Sequence, residues 1–226
     1  MNTSWTPEAQ LREQIVDVGR RLYDRGLIVA GDGNISARLN PEQILITPAG
    51  LCKGMLSPAD LVVLSLHDEL IRAAPGRRQS SERLLHLHVY ARRLDVMACV
   101  HAHPPVAVAA TLAGVSMADP ILPEVMLALG PVPTAPYALT GTAEMGHAID
   151  PYIANHQALL LSHHGALTFG QNPLQAFMRM EQIEHSARIL LAAHQFGGAI
   201  RLPAERIEEL TTLAARIHSE ATTRHS

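Results

Sequence analysis

Residues 96–105 join an apolar run to two histidines and a proline pair, in the order Val96-Met97-Ala98-Cys99-Val100-His101-Ala102-His103-Pro104-Pro105. An apolar run that stops at proline is typical of a short buried strand. Residues two apart on a strand point to the same face, so His101 and His103 are expected to leave the strand end on one side. Two neutral imidazoles that converge in this way supply most of the ligands that a zinc-like ion requires.

A third ligand is available after a second apolar run, residues 159–161, which continues as Ser162-His163-His164-Gly165. A lone histidine beside a strand is usually a structural hydrogen-bonding residue, but two such strand ends together favour a metal site. We take His164 as the candidate ligand and His163 as a packing residue, although alternation along the strand does not itself choose between them. A further pair, His86 and His88, lies in a predicted helix, where residues two apart do not share a face, so we assign it no metal role.

Composition indicates a soluble, cytoplasmic protein. The 226 residues carry a formal net charge of -3 without a Lys/Arg run, which argues against a nucleic-acid-binding surface. Cys52 and Cys99 are the only cysteines, and we expect both to be small buried residues in a reducing compartment. The N-terminus has no basic-then-apolar signal, and no uncharged apolar stretch reaches membrane-spanning length.

Helical and strand patterns alternate along the chain and predict one α/β domain over residues 1–226. Helices are predicted from Thr6 to near Gly26, from Ser80 to Arg93, from Pro104 to about Ala113, from Thr142 to His156, from Pro173 to His194 and from Pro203 to His218. Strands are predicted at Ile35–Leu39, Ile44–Thr47 and Leu61–Leu66 and in the two histidine runs. Because the first two strands form a hairpin, the sheet is expected to be mixed.

Three short segments each have a structural and a functional interpretation. Ser80-Ser81-Glu82 begins a predicted helix, and its own sequence favours an N-cap followed by an acidic first-turn residue. The same exposed amides and hydroxyls could bind a phosphate, and the carboxylate could act as a general base. Gly33-Asn34 and Ala49-Gly50 are most simply turns, yet glycine lets backbone amides approach an anion closely, so two such turns could complete a phosphate cradle.

Glu124 interrupts the apolar stretch from Ile121 to Leu129. An exposed acid at the start of a helix is its simplest interpretation, because the helix dipole favours a negative charge there. The alternative is a desolvated carboxyl with a raised pKa close to the metal, which would make Glu124 part of the site.

Five segments stand in order along the chain: Gly33-Asn34-Ile35-Ser36, Thr47-Pro48-Ala49-Gly50, Ser80-Ser81-Glu82, His101-Ala102-His103 and His164-Gly165. In this order and spacing they resemble the motifs of the class II aldolase/adducin family, in its L-fuculose-1-phosphate aldolase branch. Each segment alone is weak evidence for the family, but the ordered set of five is specific to it. The resemblance covers about residues 8 to 196.

The resemblance implies a three-layer α/β/α sandwich around a mixed, mostly antiparallel sheet, assembled as a homotetramer with active sites between subunits. It implies one Zn²⁺ per subunit, or another divalent ion, bound by His101, His103 and His164. Glu82 matches the family's catalytic glutamate. The family's phosphate-binding residues match Gly33, Asn34, Ala49, Gly50, Ser80 and Ser81.

The activity implied by the resemblance is that of a zinc-dependent aldolase, a lyase that cleaves a ketose 1-phosphate to dihydroxyacetone phosphate and an aldehyde. Breaking the C3–C4 bond leaves an enediolate on the three-carbon fragment, and Zn²⁺ on the C2 and C3 oxygens would stabilise its charge as a Lewis acid. Glu82 would shuttle the proton at the enediolate carbon. A second group is required to deprotonate the C4 hydroxyl.

Two departures from the family pattern leave other activities open. Ala49 replaces a threonine that is common in the fuculose-phosphate enzymes, so one phosphate contact is lost. Glu124 aligns with their active-site tyrosine, as in methylthioribulose-1-phosphate dehydratases, and becomes a second candidate catalytic residue. The alternatives are a dehydratase, 4-epimerase or decarboxylase of a related sugar phosphate, or a non-catalytic adducin-like module. Three histidines and Glu82 argue against the last, because an interaction module has no chemical need for them.

Overall fold

The computed structural model describes residues 5–223, and the side chains of residues 5–217. The helices are α1 (Glu8–Asp24), α2 (Arg83–Arg92), α3 (Pro105–Leu112), α4 (Pro123–Ala128), α5 (Ala143–Ile153), α6 (Pro173–Gln195) and α7 (Ala204–Thr223). The strands are β1 (Asn34–Asn40), β2 (Gln43–Ile46), β3 (Val62–Ser65), β4 (Leu70–Arg72), β5 (Ala98–Ala102), β6 (Thr134–Ala135), β7 (Ala158–Leu161) and β8 (Gly165–Gly170).

These strands form one sheet, in the order β4-β3-β2-β1-β5-β8-β7-β6. Each pairing is antiparallel except that of β6 with β7. The histidine strand β5 lies between β1 and β8, with His101 opposite Asn34 on one side and opposite Leu167 on the other. The predicted α/β fold with a mixed, mostly antiparallel sheet is confirmed.

Helices cover both faces of the sheet. One face packs against α1, α3 and α6, whose buried residues include Ile15, Leu22, Ala107, Phe177 and Met180. The other face packs against α2 and α5, whose buried residues include Leu85, Val89, Tyr90, Met145 and Ile149. Strands that are buried on both faces are apolar almost throughout, as the runs before His101 and His163 are. The arrangement is the predicted α/β/α sandwich.

The six predicted helices are all present, and α4 is the short helix that the simplest interpretation of Glu124 requires. Strands β4, β6 and β8 have no counterpart in the predicted pattern. Strand β4 consists of three exposed residues, and β6 has only two residues, so neither carries an apolar run. Strand β8 follows β7 after a turn in which His163 adopts a left-handed φ of 60°. Histidine is not the residue that such a turn usually carries, so the sequence does not indicate the hairpin.

The two cysteines differ in their burial. Cys99 on β5 is fully buried, as predicted. Cys52 is only half-buried, because it lies in the connection between β2 and β3 and not within the sheet. Within residues 5–223 no helix is both long enough and apolar enough to cross a membrane.

Candidate metal centre

Three histidines and a glutamate converge at one end of β5. His101 Nε2 lies 3.1 Å from His103 Nε2. The two carboxylate oxygens of Glu82 lie 3.3 Å from His101 Nε2 and 3.1 Å from His164 Nε2. One potential ligand atom from each of the four residues lies within 4.8 Å of the others, and the described residues contain no second group of this kind.

The sheet explains why these side chains meet. His101 and His103 are two residues apart at the end of β5, so their rings leave the strand on the same side. Strand β8 pairs alongside β5, with Ala102 opposite Ala166. His164 lies in the turn immediately before β8 and is therefore delivered to the same end of the sheet.

The turn also separates the two consecutive histidines. His164 Nε2 points to the Glu82 carboxylate, whereas the His163 side chain is exposed. His163 Nδ1 lies 2.9 Å from Ser162 Oγ, and its ring packs edge-on against that of Tyr137. The structure therefore brings His164, and not His163, to the histidine pair.

Hydrogen bonding determines how His101 faces the centre. Its Nδ1 lies 2.9 Å from the carbonyl oxygen of Ala166, which can only accept, so Nδ1 carries the proton. In the neutral ring, Nε2 then presents its lone pair to the centre, and a carbonyl partner of this kind is typical of metal-binding histidines. Three ring nitrogens and one carboxylate form a donor set that could hold a metal ion.

The charges of these groups depend on one another. Burial raises the pKa of Glu82, but the charge of His101 and hydrogen bonds with His101 and His164 outweigh burial and hold that pKa far below its usual range. Burial lowers the pKa of His101, but the Glu82 carboxylate outweighs it and raises that pKa. Burial and the charges of His101 and His164 lower the pKa of His103 to about 4. The carboxylate is therefore ionised at neutral pH.

The Glu82 side chain does not interact with the start of α2 in the way predicted for an acidic first-turn residue. Helix α2 begins at Arg83, and the Glu82 side chain makes no capping hydrogen bond, although the residue occupies the N-cap position. Its carboxylate accepts a hydrogen bond from Asn34 Nδ2 at 3.0 Å and faces the histidines instead. Ser80 Oγ accepts from the Glu82 amide, as a capping serine does, so only the expectation that the Glu82 carboxylate serves the helix start differs from the structure.

The predicted phosphate cradle consists of three turns that lie side by side. A Cβ atom at Gly31 would lie 3.7 Å from Gly50, so the first two turns touch. The Ala49 amide donates to the Arg78 carbonyl oxygen at 3.0 Å, which ties the second turn to the segment before Ser80. The structure therefore brings the predicted phosphate-binding segments together.

These residues differ in what they can offer an anion. Gly33 and Gly50 have positive φ values of 70° and 72°, which only glycine adopts readily. The Ala49 amide is already bonded within the protein and is not free to bind phosphate. Ser81 is exposed, whereas Ser80 is buried and its Oγ accepts from the Glu82 amide at 3.3 Å.

Lys53 is the residue of this region that the sequence analysis missed. It is the only lysine in the chain, and it is 2% exposed. Its Nζ donates to the carbonyl oxygens of Gly31 and Leu51, the latter at 3.0 Å, and so joins the two glycine turns from behind. Burial lowers the pKa of Lys53. The only signal in the sequence is that the chain has a single lysine. Because lysine is almost always exposed, its residue type does not predict burial.

Glu124 lies apart from the centre. It is exposed in the first turn of α4, where its charge is favourable to the helix dipole, and it does not belong to the group of Glu82 and the three histidines. Within one chain, the structure does not support the interpretation of Glu124 as a desolvated acid close to the metal, because α4 leaves its side chain in solvent.

We expect Gly165→Ala to weaken metal binding. A Cβ atom at Gly165 would lie 2.5 Å from the Ala102 carbonyl oxygen, 2.8 Å from His103 Cδ2 and 3.0 Å from His101 Cε1, so both rings must shift. The expected losses are about 10-fold or more in affinity for Zn²⁺ and about 1–3 kcal/mol in the free energy of unfolding. Titration with Zn²⁺ and denaturant unfolding measure the two effects.

Gly76→Ala is the matched control for this prediction. A Cβ atom at Gly76 would meet nothing within 4 Å, but its φ of +76° makes alanine unfavourable by about 1–2 kcal/mol. This variant should lose stability without losing affinity for Zn²⁺. If Gly165→Ala binds Zn²⁺ as tightly as the unmodified protein, the close packing around His101 and His103 is irrelevant to the metal.

Comparison with known proteins identifies relatives along most of the chain. The sequence profile described as Class II Aldolase and Adducin N-terminal domain matches residues 13–191. The chain is 35% identical over 202 residues to the 5-deoxy-D-ribulose 1-phosphate aldolase of Bacillus thuringiensis serovar kurstaki, which spans 88% of this chain and 92% of that protein. It is 30% identical over 210 residues to the 3-oxo-tetronate 4-phosphate decarboxylase of Cupriavidus necator, which spans 90% of this chain and 95% of that protein.

A solved structure gives the same result for the fold. The crystal structure of L-fuculose-1-phosphate aldolase from Thermus thermophilus is similar to this chain with a TM-score of 0.75 and 33% sequence identity. The match covers 86% of this chain and 100% of that one. The similarity therefore extends over most of this chain and the whole of that one.

Proposed function

Because this chain belongs to the class II aldolase and adducin family and is a metal-dependent enzyme of the aldolase type, we propose that it cleaves a ketose 1-phosphate to dihydroxyacetone phosphate and an aldehyde. The observation that carries the proposal is the position of the Glu82 carboxylate, 3.1–3.3 Å from two of the three convergent histidines. A carboxylate that transfers a proton beside a metal centre suits a reaction that leaves a carbanion next to a carbonyl group.

We assign Zn²⁺ to His101, His103 and His164, with one ion in each subunit. Neutral imidazole is a common zinc ligand, and three protein ligands leave a coordination position for substrate. When bound there, Zn²⁺ would supply Lewis acidity to the carbonyl and hydroxyl oxygens of the ketose. Mn²⁺ or Co²⁺ could bind the same nitrogens, so the metal content of the purified protein decides the assignment.

The protein groups then have separate roles in cleavage. A second acid–base group accepts the proton of the C4 hydroxyl, the C3–C4 bond breaks, and its electron pair stays with C3 while the aldehyde leaves. Glu82, which is ionised before the reaction, takes up a proton from water and transfers it to C3, which completes the dihydroxyacetone phosphate. The hydrogen bond from Asn34 orients the Glu82 carboxylate for this transfer. The amides and hydroxyls around Gly33, Gly50 and Ser81 would bind the phosphate.

We propose that Glu124 acts as the second acid–base group and that it does so across a subunit boundary in a cytoplasmic homotetramer. Its exposure on α4 leaves it free to enter the site of a neighbouring subunit. Phe196 and Ile200 are both 91% exposed in the segment after α6, which is hydrogen-bonded to the segment before α4 from Leu202 to Pro120, and their exposure supports burial of this region against another subunit. Light scattering of the purified protein tests the assembly.

Lys53 supports a metal-dependent mechanism over one that uses a lysine Schiff base. A Schiff base requires an amine that can reach the substrate carbonyl. The only lysine of this chain is 2% exposed, and its ammonium group is bonded to two backbone carbonyl oxygens. Treatment with borohydride in the presence of substrate is therefore expected to leave the enzyme unmodified.

The proposed function is tested with a panel of ketose 1-phosphates, assayed for dihydroxyacetone phosphate. 5-Deoxyribulose 1-phosphate is the first substrate to try, since the Bacillus relative is named for it. Fuculose 1-phosphate and methylthioribulose 1-phosphate complete the panel. Loss of water without formation of a triose phosphate would replace the aldolase by a dehydratase, and a purified protein that binds no divalent metal would refute both.

Decarboxylation of a 3-oxo-tetronate 4-phosphate is the second candidate function. It is favoured by the identity of 30% to the Cupriavidus necator decarboxylase. Loss of CO₂ from a 3-oxo acid also leaves a carbanion next to a carbonyl group, which Glu82 could protonate in the same way. Release of CO₂ without release of an aldehyde identifies this activity.

A further inference from the structure

Strand β1 and helix α2 face each other through a column of polar side chains in the core. We call this column the polar ladder, and its members are Asn34, Ser36 and Arg38 on the strand and Glu82, His86 and Tyr90 on the helix. Two strand residues advance about 6.6 Å and four helix residues about 6 Å. Successive residues of the strand and of the helix therefore remain opposite one another along the ladder.

Direct contacts connect the two sides. The first rung is the hydrogen bond from Asn34 to Glu82 described above. In the second, Ser36 Oγ lies 2.6 Å from His86 Nδ1 and 2.8 Å from the Tyr90 hydroxyl. In the third, Arg38 Nη2 donates to the Tyr90 carbonyl oxygen at 2.9 Å, and its guanidinium lies 4.8 Å from the centre of the Tyr90 ring.

The middle of the ladder is fully buried and uncharged. Ser36, His86 and Tyr90 are each 0% exposed. Burial and the charge of His101 lower the pKa of His86 to about 3, so its ring is neutral. A neutral polar group that is buried without a partner costs about 1–3 kcal/mol. A helix that shifted along β1 would lose several of these partners at once, so the ladder favours one register.

The register of α2 determines where Glu82 lies, because Glu82 immediately precedes the first turn of the helix. A shift of one residue would move it by about 1.5 Å along the helix axis and rotate it by about 100°. Either displacement would carry the carboxylate away from His101 and His164, which it now approaches to 3.3 Å and 3.1 Å.

We propose that the polar ladder acts on the reaction through Glu82: Ser36, His86 and Tyr90 are positioning residues that hold the carboxylate of Glu82 against the histidines. The proposal rests on the proposed role of Glu82 in proton transfer. It differs from a purely structural role because it predicts that loss of the ladder impairs the enzyme only as long as Glu82 is present.

The test is a double-mutant cycle between Ser36→Ala and Glu82→Gln, measured as kcat for release of dihydroxyacetone phosphate. Ser36→Ala removes one oxygen that contacts both His86 and Tyr90, and it adds no atoms. We expect kcat to fall about 10-fold, with KM within about twofold and zinc content unchanged. We expect no further loss when Ser36→Ala is added to Glu82→Gln.

His88→Gln is the matched control. His88 lies on the same helix, but it is hydrogen-bonded to Asp150 at 2.7 Å and belongs to no rung of the ladder. The kcat of the His88→Gln variant is expected to equal that of the unmodified enzyme. If Ser36→Ala does not fold, Tyr90→Phe replaces it in the cycle, because this substitution removes only the hydroxyl.

Two results would overturn the proposal. One is an equal fold-loss of kcat from Ser36→Ala with and without Glu82, which would show that the ladder acts independently of Glu82. The other is an unmoved Glu82 carboxyl in the crystal structure of Ser36→Ala, which would refute the ladder whatever the substrate is. The proposal predicts instead that the distance from this carboxyl to His101 Nε2 increases by more than about 1 Å. A wild-type enzyme that binds zinc but releases no triose phosphate refutes the proposed function instead.

Discussion

Replacement of His103 by alanine is expected to abolish zinc binding and aldol cleavage while the chain stays folded. The ring supplies one of three nitrogen ligands, so the loss of zinc affinity should exceed the 10- to 100-fold that is typical of removing an outer-shell partner, and be at least about 100-fold. The fold should survive because the His103 amide, which donates to the Leu27 carbonyl oxygen at 2.9 Å, is unchanged in the variant. Metal analysis, circular dichroism and kcat measure the three effects.

The neighbouring histidine pair provides the control. His163→Asn should keep zinc, because the His163 ring is exposed and asparagine tolerates the left-handed φ of 60°. His164→Asn should lose zinc. Normal zinc content in His103→Ala, or loss of zinc in His163→Asn, would contradict the assignment of ligands.

Replacement of Glu82 by glutamine is expected to lower kcat by about two to four orders of magnitude while zinc is retained. The amide has the same shape as the carboxylate, and its oxygen can still accept the hydrogen bond from Asn34 Nδ2. It cannot take up or return a proton at neutral pH, so the three histidines keep their ion but the proton-transfer step loses its acid–base group. Steady-state kinetics and metal analysis of the same preparation check both parts.

Glu144→Gln is the control for charge alone. Glu144 lies at the start of another helix, α5, where it is exposed and does not belong to the group of Glu82 and the three histidines. Its kcat should be unchanged. A Glu82→Gln enzyme with normal kcat would show that Glu82 has only a structural role at the start of α2.

The sequence predicts the part of the metal centre that depends on local strand geometry. The spacing of His101 and His103 on a strand requires their rings to share a face, and the structure shows them sharing it. The choice between His163 and His164 was open, because it depends on the φ of 60° in the turn between β7 and β8, which the residue type does not indicate.

The remaining parts depend on tertiary contacts. The local sequence of Ser80-Ser81-Glu82 favours a helix cap, but Asn34 and two histidines, each remote in sequence, determine where the Glu82 carboxylate points. Lys53 gives no sign in the sequence that it joins two turns. The proposed role of Glu124 requires a second subunit, which no pattern within one chain can position.

The place of β5 in the sheet has a consequence for how the protein acquires its metal centre. His101 is paired with Asn34, 67 residues earlier, and with Leu167, 66 residues later. Closing loops of this length is slow and entropically costly. Glu82 and the three histidines are spread over a longer stretch of chain than either loop, so no shorter segment can bring all four together. The complete set of three histidines is therefore assembled only when β8 pairs with β5. An ion that requires all three stabilises the native state by mass action, after this long-range pairing is complete.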